Sequence, residues 1–164
     1  MDKMSLGRVV KIGIVTEDVD KTAADLESIL TTVPAYDHGP DVDTDKYTAE
    51  DKYRRYKGAP AGDIHMKVRV VNSEPVYFEL IQPVGDAQSP WHDHLKKYGT
   101  SVCFISFYIN GFEQHIDMMN KAGFPLLFEE EKGFERYAYF DTMQALGFTL
   151  EMKERIPNTP KSEQ

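Results

Sequence analysis

An internal repeat constrains this chain more than any other feature. Val10-Lys11-Ile12-Gly13-Ile14-Val15 and Phe104-Ile105-Ser106-Phe107-Tyr108-Ile109 are β-branched and aromatic runs, each followed by an amphipathic helical segment and then by further strand-like runs. A small sheet built from one such unit cannot cover both of its faces, so two copies pair and enclose a groove between them. The order predicts an α+β fold in which two βαβββ modules, about residues 9–82 and 101–154, form a curved mixed sheet around a cleft. Both modules belong to one domain spanning residues 1–164.

In the first module, residues 9–15 read as a strand, and Asp18 caps a helix through Leu30 with Val19, Ala23, Leu26 and Leu30 on one side. Residues 39–62 are polar and acidic and read as an insertion, with Thr48 and Asp51 spaced to cap a short helix over Tyr53 and Tyr56. Residues 63–71 and 76–82 read as antiparallel strands. Met66, Val68 and Val70 are matched with Phe78 and Leu80 on one face, leaving His65, Lys67 and Arg69 beside Tyr77, Glu79 and Ile81 on the other. A linker helix over 89–98 opens at Ser89-Pro90, carries Trp91, Leu95 and Tyr98 as its apolar stripe, and stops at Gly99. The second module repeats the plan, with Asn110 and Glu113 at capping-box spacing before a helix over 111–122 and strands near 125–130, 135–141 and 147–154. A frayed tail is expected after Ile156.

Composition removes several classes of function. The chain carries 27 acidic against 19 basic residues, a net charge of -8, so nucleic acid would approach against the overall field. The basic run from Lys52 to Lys57 is interleaved with tyrosines and reads as a solvated helix face. No apolar run approaches the roughly 20 residues that span a bilayer, and no secretory hydrophobic segment precedes the first strand, so the expectation is a cytoplasmic protein with no membrane partner. Cys103 is the sole cysteine and alternates with Ile105 and Phe107, which suits a small core residue.

Val10-Lys11-Ile12-Gly13-Ile14-Val15-Thr16-Glu17-Asp18-Val19, Tyr77-Phe78-Glu79-Leu80-Ile81-Gln82-Pro83, Gly99-Thr100-Ser101-Val102-Cys103-Phe104-Ile105-Ser106-Phe107 and Gly147-Phe148-Thr149-Leu150-Glu151 follow in order along the chain. Together they resemble the vicinal oxygen chelate superfamily, the glyoxalase, bleomycin resistance and extradiol dioxygenase proteins, and especially its methylmalonyl-CoA epimerase-like branch. The resemblance covers about residues 9–154 apart from the polar stretch. In metal-dependent members each of these four strands supplies one ligand. Carried over by position, those places hold Lys11, Glu79, Phe104 and Glu151.

Phe104 offers no ligand, and a Lys11 ammonium opposes a cation, so the expectation is no metal and no cofactor. In its place an ion-paired cluster is expected, with Lys11 between Glu79 and Glu151. The resemblance then implies a small-molecule partner, either a small oxygenated acid or an acyl thioester. Glu79 or Glu151 would take a proton next to a carbonyl and Lys11 would stabilise the enolate, as in a metal-independent epimerase, isomerase or lyase. His65, Lys67, Arg69, Tyr77, Phe104 and Tyr108 are the ligand-binding candidates. Two alternatives stand beside this one: a non-catalytic binding or sequestration protein, and a relocated metal site formed by His65, Glu79 and Glu151. The repeat architecture also points to a homodimer.

Overall fold

The protein is described here from a computed structural model covering residues 7–30, 52–132 and 135–155. The chain runs β1 (Val9–Val15), α1 (Val19–Ile29), β2 (Lys52–Tyr56), β3 (Ala59–Pro60), β4 (His65–Asn72), β5 (Tyr77–Val84) and α2 (Pro90–Tyr98). The second half contributes β6 (Ser101–Tyr108), α3 (Phe112–Lys121), β7 (Leu126–Lys132), β8 (Glu135–Phe140), α4 (Met143–Leu146) and β9 (Thr149–Arg155). The described strands form one open mixed sheet in the order β3-β2-β7-β8-β9-β6-β1-β5-β4.

The two modules meet where β1 and β6 pair antiparallel at the centre of this sheet, with Lys11 opposite Ser106 and Gly13 opposite Phe104. Outward from there, β5 runs parallel to β1 with Glu79 opposite Gly13, and β9 runs parallel to β6 with Glu151 opposite Ser106. Exchanging the modules therefore exchanges Lys11 with Phe104, Gly13 with Ser106, and Glu79 with Glu151. This pseudo-twofold relation is the physical content of the sequence repeat.

Local chemistry sets the helix ends. The Asp18 side chain accepts from the backbone of Asp20 and Lys21 at the start of α1, and Ser89 does so for His92 at the start of α2. Gly99 ends α2 with a positive φ of 67°, which a residue lacking Cβ adopts without penalty. On the cleft side, Trp91 meets Phe128 and Tyr139 edge to face at ring separations of 5.1 and 5.9 Å. Behind the sheet, α1 buries Val19 and Ala23 against Val71 and Leu80, while α3 buries Phe112 and Met119 against Ala138, Phe140 and Met152.

Four expectations are corrected. Tyr53 and Tyr56 lie on a strand, not a helix, because β2 pairs with β7 from Lys52↔Lys132 to Tyr56↔Phe128. Residues 52–60 of the expected insertion are therefore part of the sheet, while Thr48 and Asp51 fall outside the described residues, as does the tail after Ile156. The capping box at Asn110 gives way to Gly111 as N-cap of α3, with Glu154 from β9 accepting the Gly111 N–H at 2.6 Å. Tyr98 is exposed, and buried His94 takes the inward position on α2, bonded through Nε2 to Ser101 Oγ at 2.8 Å.

Candidate functional site

Successive side chains of a strand point to opposite faces, so the register decides what gathers on the concave side. One transverse row runs Asn72, Tyr77, Lys11, Ser106, Glu151 and Tyr139 across β4, β5, β1, β6, β9 and β8. Glu79 and Phe104 stand in the neighbouring row, on either side of Gly13. The missing side chain at Gly13 is a packing requirement, since a Cβ there would lie 2.1 Å from the Phe104 ring. Small Ser106 occupies the equivalent place in the other module, beside Lys11.

All four carried-over positions converge. Lys11 Nζ donates to Glu79 Oε2 at 2.7 Å, lies 3.4 Å from Glu151 Oε1, and sits 5.3 Å from the centre of the Phe104 ring. Burial disfavours the Lys11 charge, but the carboxylates of Glu151 and Glu79 outweigh it and hold the ammonium above the ordinary lysine value. The Glu151 carboxyl is pushed up by burial, against the attraction of Lys11 and with the repulsion of Glu79. Glu151 is fully enclosed, with Lys11 as its ion-pair partner and the Ser106 hydroxyl beside it on the neighbouring strand. Glu79, with a fifth of its side chain exposed, is the member that meets the cleft.

This donor set does not fit a metal ion. An ammonium already occupies the space between the two carboxylates, and a phenyl ring fills the fourth place. Among the described residues, no group of three or more His, Cys, Asp or Glu is placed to hold one.

The remaining candidates divide by face. Tyr77 is buried beside Lys11, and burial raises its phenol. Tyr108 lies under Lys153 and Arg155 at 5.6 and 5.8 Å. His65, Lys67 and Arg69, expected beside Glu79, are not there. Val70 pairs with Glu79 and Val68 with Ile81, so Met66, Val68 and Val70 share the concave side. Lys67 and Arg69 point the other way, and Arg69 meets Asp20 and Glu27 of α1 at 3.0 and 3.8 Å. His65 is exposed at the start of β4 opposite Val84. The relocated metal site built on His65 is overturned with it.

A second cluster on the same concave side escaped the sequence reading. Glu135 accepts from the Tyr137 hydroxyl, from Arg155 Nε at 2.9 Å, and pairs with Lys153 Nζ at 3.1 Å. Parity along β9 was the available signal, because Lys153 and Arg155 alternate with Glu151. Their partners on β8 could not be assigned without the register Glu135↔Arg155 and Tyr137↔Lys153.

Comparison with known proteins agrees with this architecture. A family model described as the Glyoxalase/Bleomycin resistance protein/Dioxygenase superfamily matches residues 11–140. No curated protein matches the sequence. Among solved structures, methylmalonyl-CoA epimerase from Mycobacterium tuberculosis is similar at a TM-score of 0.62 and 13% identity, over 96% of this chain and 93% of that one. A variant of the Streptomyces coelicolor methylmalonyl-CoA epimerase in complex with 2-nitronate-propionyl-CoA gives 0.60 and 17%, over 93% of this chain and 100% of that one. A methylmalonyl-CoA epimerase in complex with methylmalonyl-CoA and NH4+ gives 0.58 and 17%, over 95% and 100%. At these identities the likeness is one of fold.

Proposed function

This chain belongs to the glyoxalase/bleomycin resistance protein/dioxygenase superfamily, and on that premise we propose that it is a metal-independent isomerase of the epimerase type acting on a small oxygenated acid or its acyl thioester. The observation that carries the reading is the Lys11 ammonium lying between Glu79 and Glu151 at 2.7 and 3.4 Å, at the place that the resemblance to metal-dependent members assigns to a cation. One structural neighbour was determined with methylmalonyl-CoA and an ammonium ion, and here the chain carries an ammonium of its own.

The two carboxylates take different roles because their exposure differs. Glu79 reaches the cleft and removes the proton from the carbon next to the carbonyl. The C–H electron pair moves to the carbonyl oxygen as an enolate, and Glu79 becomes neutral. One negative charge thus passes from Glu79 to the substrate while remaining near Lys11, so the ammonium stabilises the enolate as it forms. Enclosed Glu151 does not touch substrate and keeps Lys11 charged and in place. Return of the proton from Glu79 to the opposite face, after the planar enolate turns over in the cleft, completes an epimerisation. The same reading keeps the protein cytoplasmic and homodimeric. The dimer is supported by β4, which among the described residues pairs with β5 alone and exposes Val68 and Val70.

Incubation with methylmalonyl-CoA in deuterium oxide tests the chemistry. The expected result is deuterium at the carbon between the two carbonyls, with exchange lowered about 10²–10⁴-fold in Glu79→Gln. Absence of exchange from a panel of 2-substituted acyl thioesters overturns catalysis in favour of passive binding.

A further inference from the structure

Proton removal by Glu79 leaves negative charge on the carbonyl oxygen of the substrate, and one ammonium is a sparse cradle for it. An ammonium has three N–H bonds. Lys11 gives one to Glu79 at 2.7 Å and faces Glu151 at 3.4 Å with another, which leaves one for the substrate. Sites that stabilise an oxyanion aim more than one donor at it, and losing a donor costs about 10²–10³-fold in rate.

Neighbouring hydroxyls are committed or enclosed. The Tyr137 hydroxyl is bonded to Glu135. The Tyr139 ring is packed edge to face against Trp91, Phe104 and Phe128, at 5.9, 5.2 and 5.5 Å. Ser106 is wholly enclosed between Lys11 and Glu151, and Tyr108 lies under Lys153 and Arg155.

Tyr77 is placed differently. It is the register partner of Lys11 across the parallel β1 and β5 pair, and it stands two residues before Glu79 on the same face of β5. Base and phenol therefore flank the lysine from one strand, about 6.6 Å apart along it. Burial raises the phenol above the ordinary tyrosine value, against the pull of Lys11 and with the repulsion of Glu79 and Glu151, so the charges it meets are those of this centre. The phenol keeps its proton and acts as a neutral hydrogen-bond donor.

We infer that the Tyr77 hydroxyl is the second donor to the substrate's carbonyl oxygen, so that Tyr77 and Lys11 together hold the enolate while Glu79 works on the adjacent carbon. The inference deepens the function proposed above and rests on its assignment of Glu79 and Lys11. The only bond broken is C–H and the only bond formed to hydrogen is on Glu79, while the phenol proton stays on Tyr77. Two donors on one oxygen also supply a pivot. A half-turn of the planar enolate about the line joining its oxygen to the deprotonated carbon exchanges the face shown to Glu79 and leaves the oxygen on both donors.

One structural neighbour was determined with 2-nitronate-propionyl-CoA, a planar anion that, like the enolate, shares its charge with the thioester oxygen. The affinities of this anion and of uncharged-acyl propionyl-CoA are measured calorimetrically for the full chain, for Tyr77→Phe, which keeps the packed ring, and for Tyr98→Phe, which alters an exposed tyrosine of α2. Tyr77→Phe is expected to weaken the nitronate about tenfold or more and to leave propionyl-CoA unchanged. Deuterium exchange into methylmalonyl-CoA should fall about 10²-fold at saturation with KM unchanged. Tyr98→Phe changes none of these. No binding of the nitronate by the unmodified protein, equal nitronate affinity in Tyr77→Phe, or an equal loss for both thioesters overturns the inference. Nitronate binding that depends on Tyr77 in a protein showing no exchange overturns the Glu79 chemistry instead, so the two readings fail separately.

Discussion

At the scale of single residues, the decisive substitution is a lysine where the fold leaves room for a cation. Lys11 and Glu151 are nearly or wholly enclosed; Glu151 has Lys11 as its ion-pair partner, while Lys11 is compensated by Glu151 and, more closely, by Glu79. Lys11→Met is expected to cost about 3–5 kcal/mol of stability, the range for removing one member of a buried pair. Glu151 can escape by taking a proton, so the deficit is larger at about pH 8 than at about pH 5. Adding Glu151→Gln removes the stranded charge and recovers much of the loss. Urea unfolding of the single and double variants checks both statements. An unchanged deficit in the double variant would show that Lys11 contributes by packing alone. Gly13 belongs to the same unit, because the Phe104 ring lies against its backbone.

Among the elements, β4 and α3 show how local pattern and tertiary pairing divide the decision. The alternation His65, Lys67, Arg69 was visible in the sequence, but which face it belongs to depended on alignment with β5, where a shift of one residue inverts every side chain. The helix over 112–121 was equally visible, but its cap was not, because the cap comes from a distant strand. Glu154 accepts the Gly111 N–H and also meets Arg136 at 2.7 Å, and Arg136 reaches Glu113 on the helix at 2.6 Å. Glu154→Ala is expected to cost about 0.5–2 kcal/mol, as loss of a helix cap does. Hydrogen exchange should rise at the amides of the first turn of α3 and not in α1, whose cap Asp18 is its own.

For the whole molecule, the buried phenols and the central lysine set an alkaline limit. Burial raises Tyr77, Tyr137 and Tyr139 above the ordinary tyrosine value, and the Glu151 and Glu79 carboxylates raise Lys11 above 10.5 despite burial. Above about pH 10 the unfolded chain loses these protons while the folded chain retains them. The folded state then binds more protons than the unfolded one, so stability falls as pH rises. The melting temperature should decline steeply above about pH 10, with the share of the tyrosinate absorbance that belongs to the buried phenols appearing at unfolding rather than before it. Tyr137→Phe should flatten that decline. A native protein whose tyrosines all ionise near the ordinary value would contradict this account.

Periodicities of 2 and 3.6 and the internal repeat sufficed to locate the main helices and the central strands, and the resemblance carried by those strands singled out Lys11, Glu79, Phe104 and Glu151. Only the tertiary structure decided which face of β4 looks inward, that β2 joins the sheet beside β7, and that Glu135, Tyr137, Lys153 and Arg155 form one charged wall. The physical reason is that local pattern specifies which side chains share a face of their own strand. Pairing between distant strands specifies which of those faces meet.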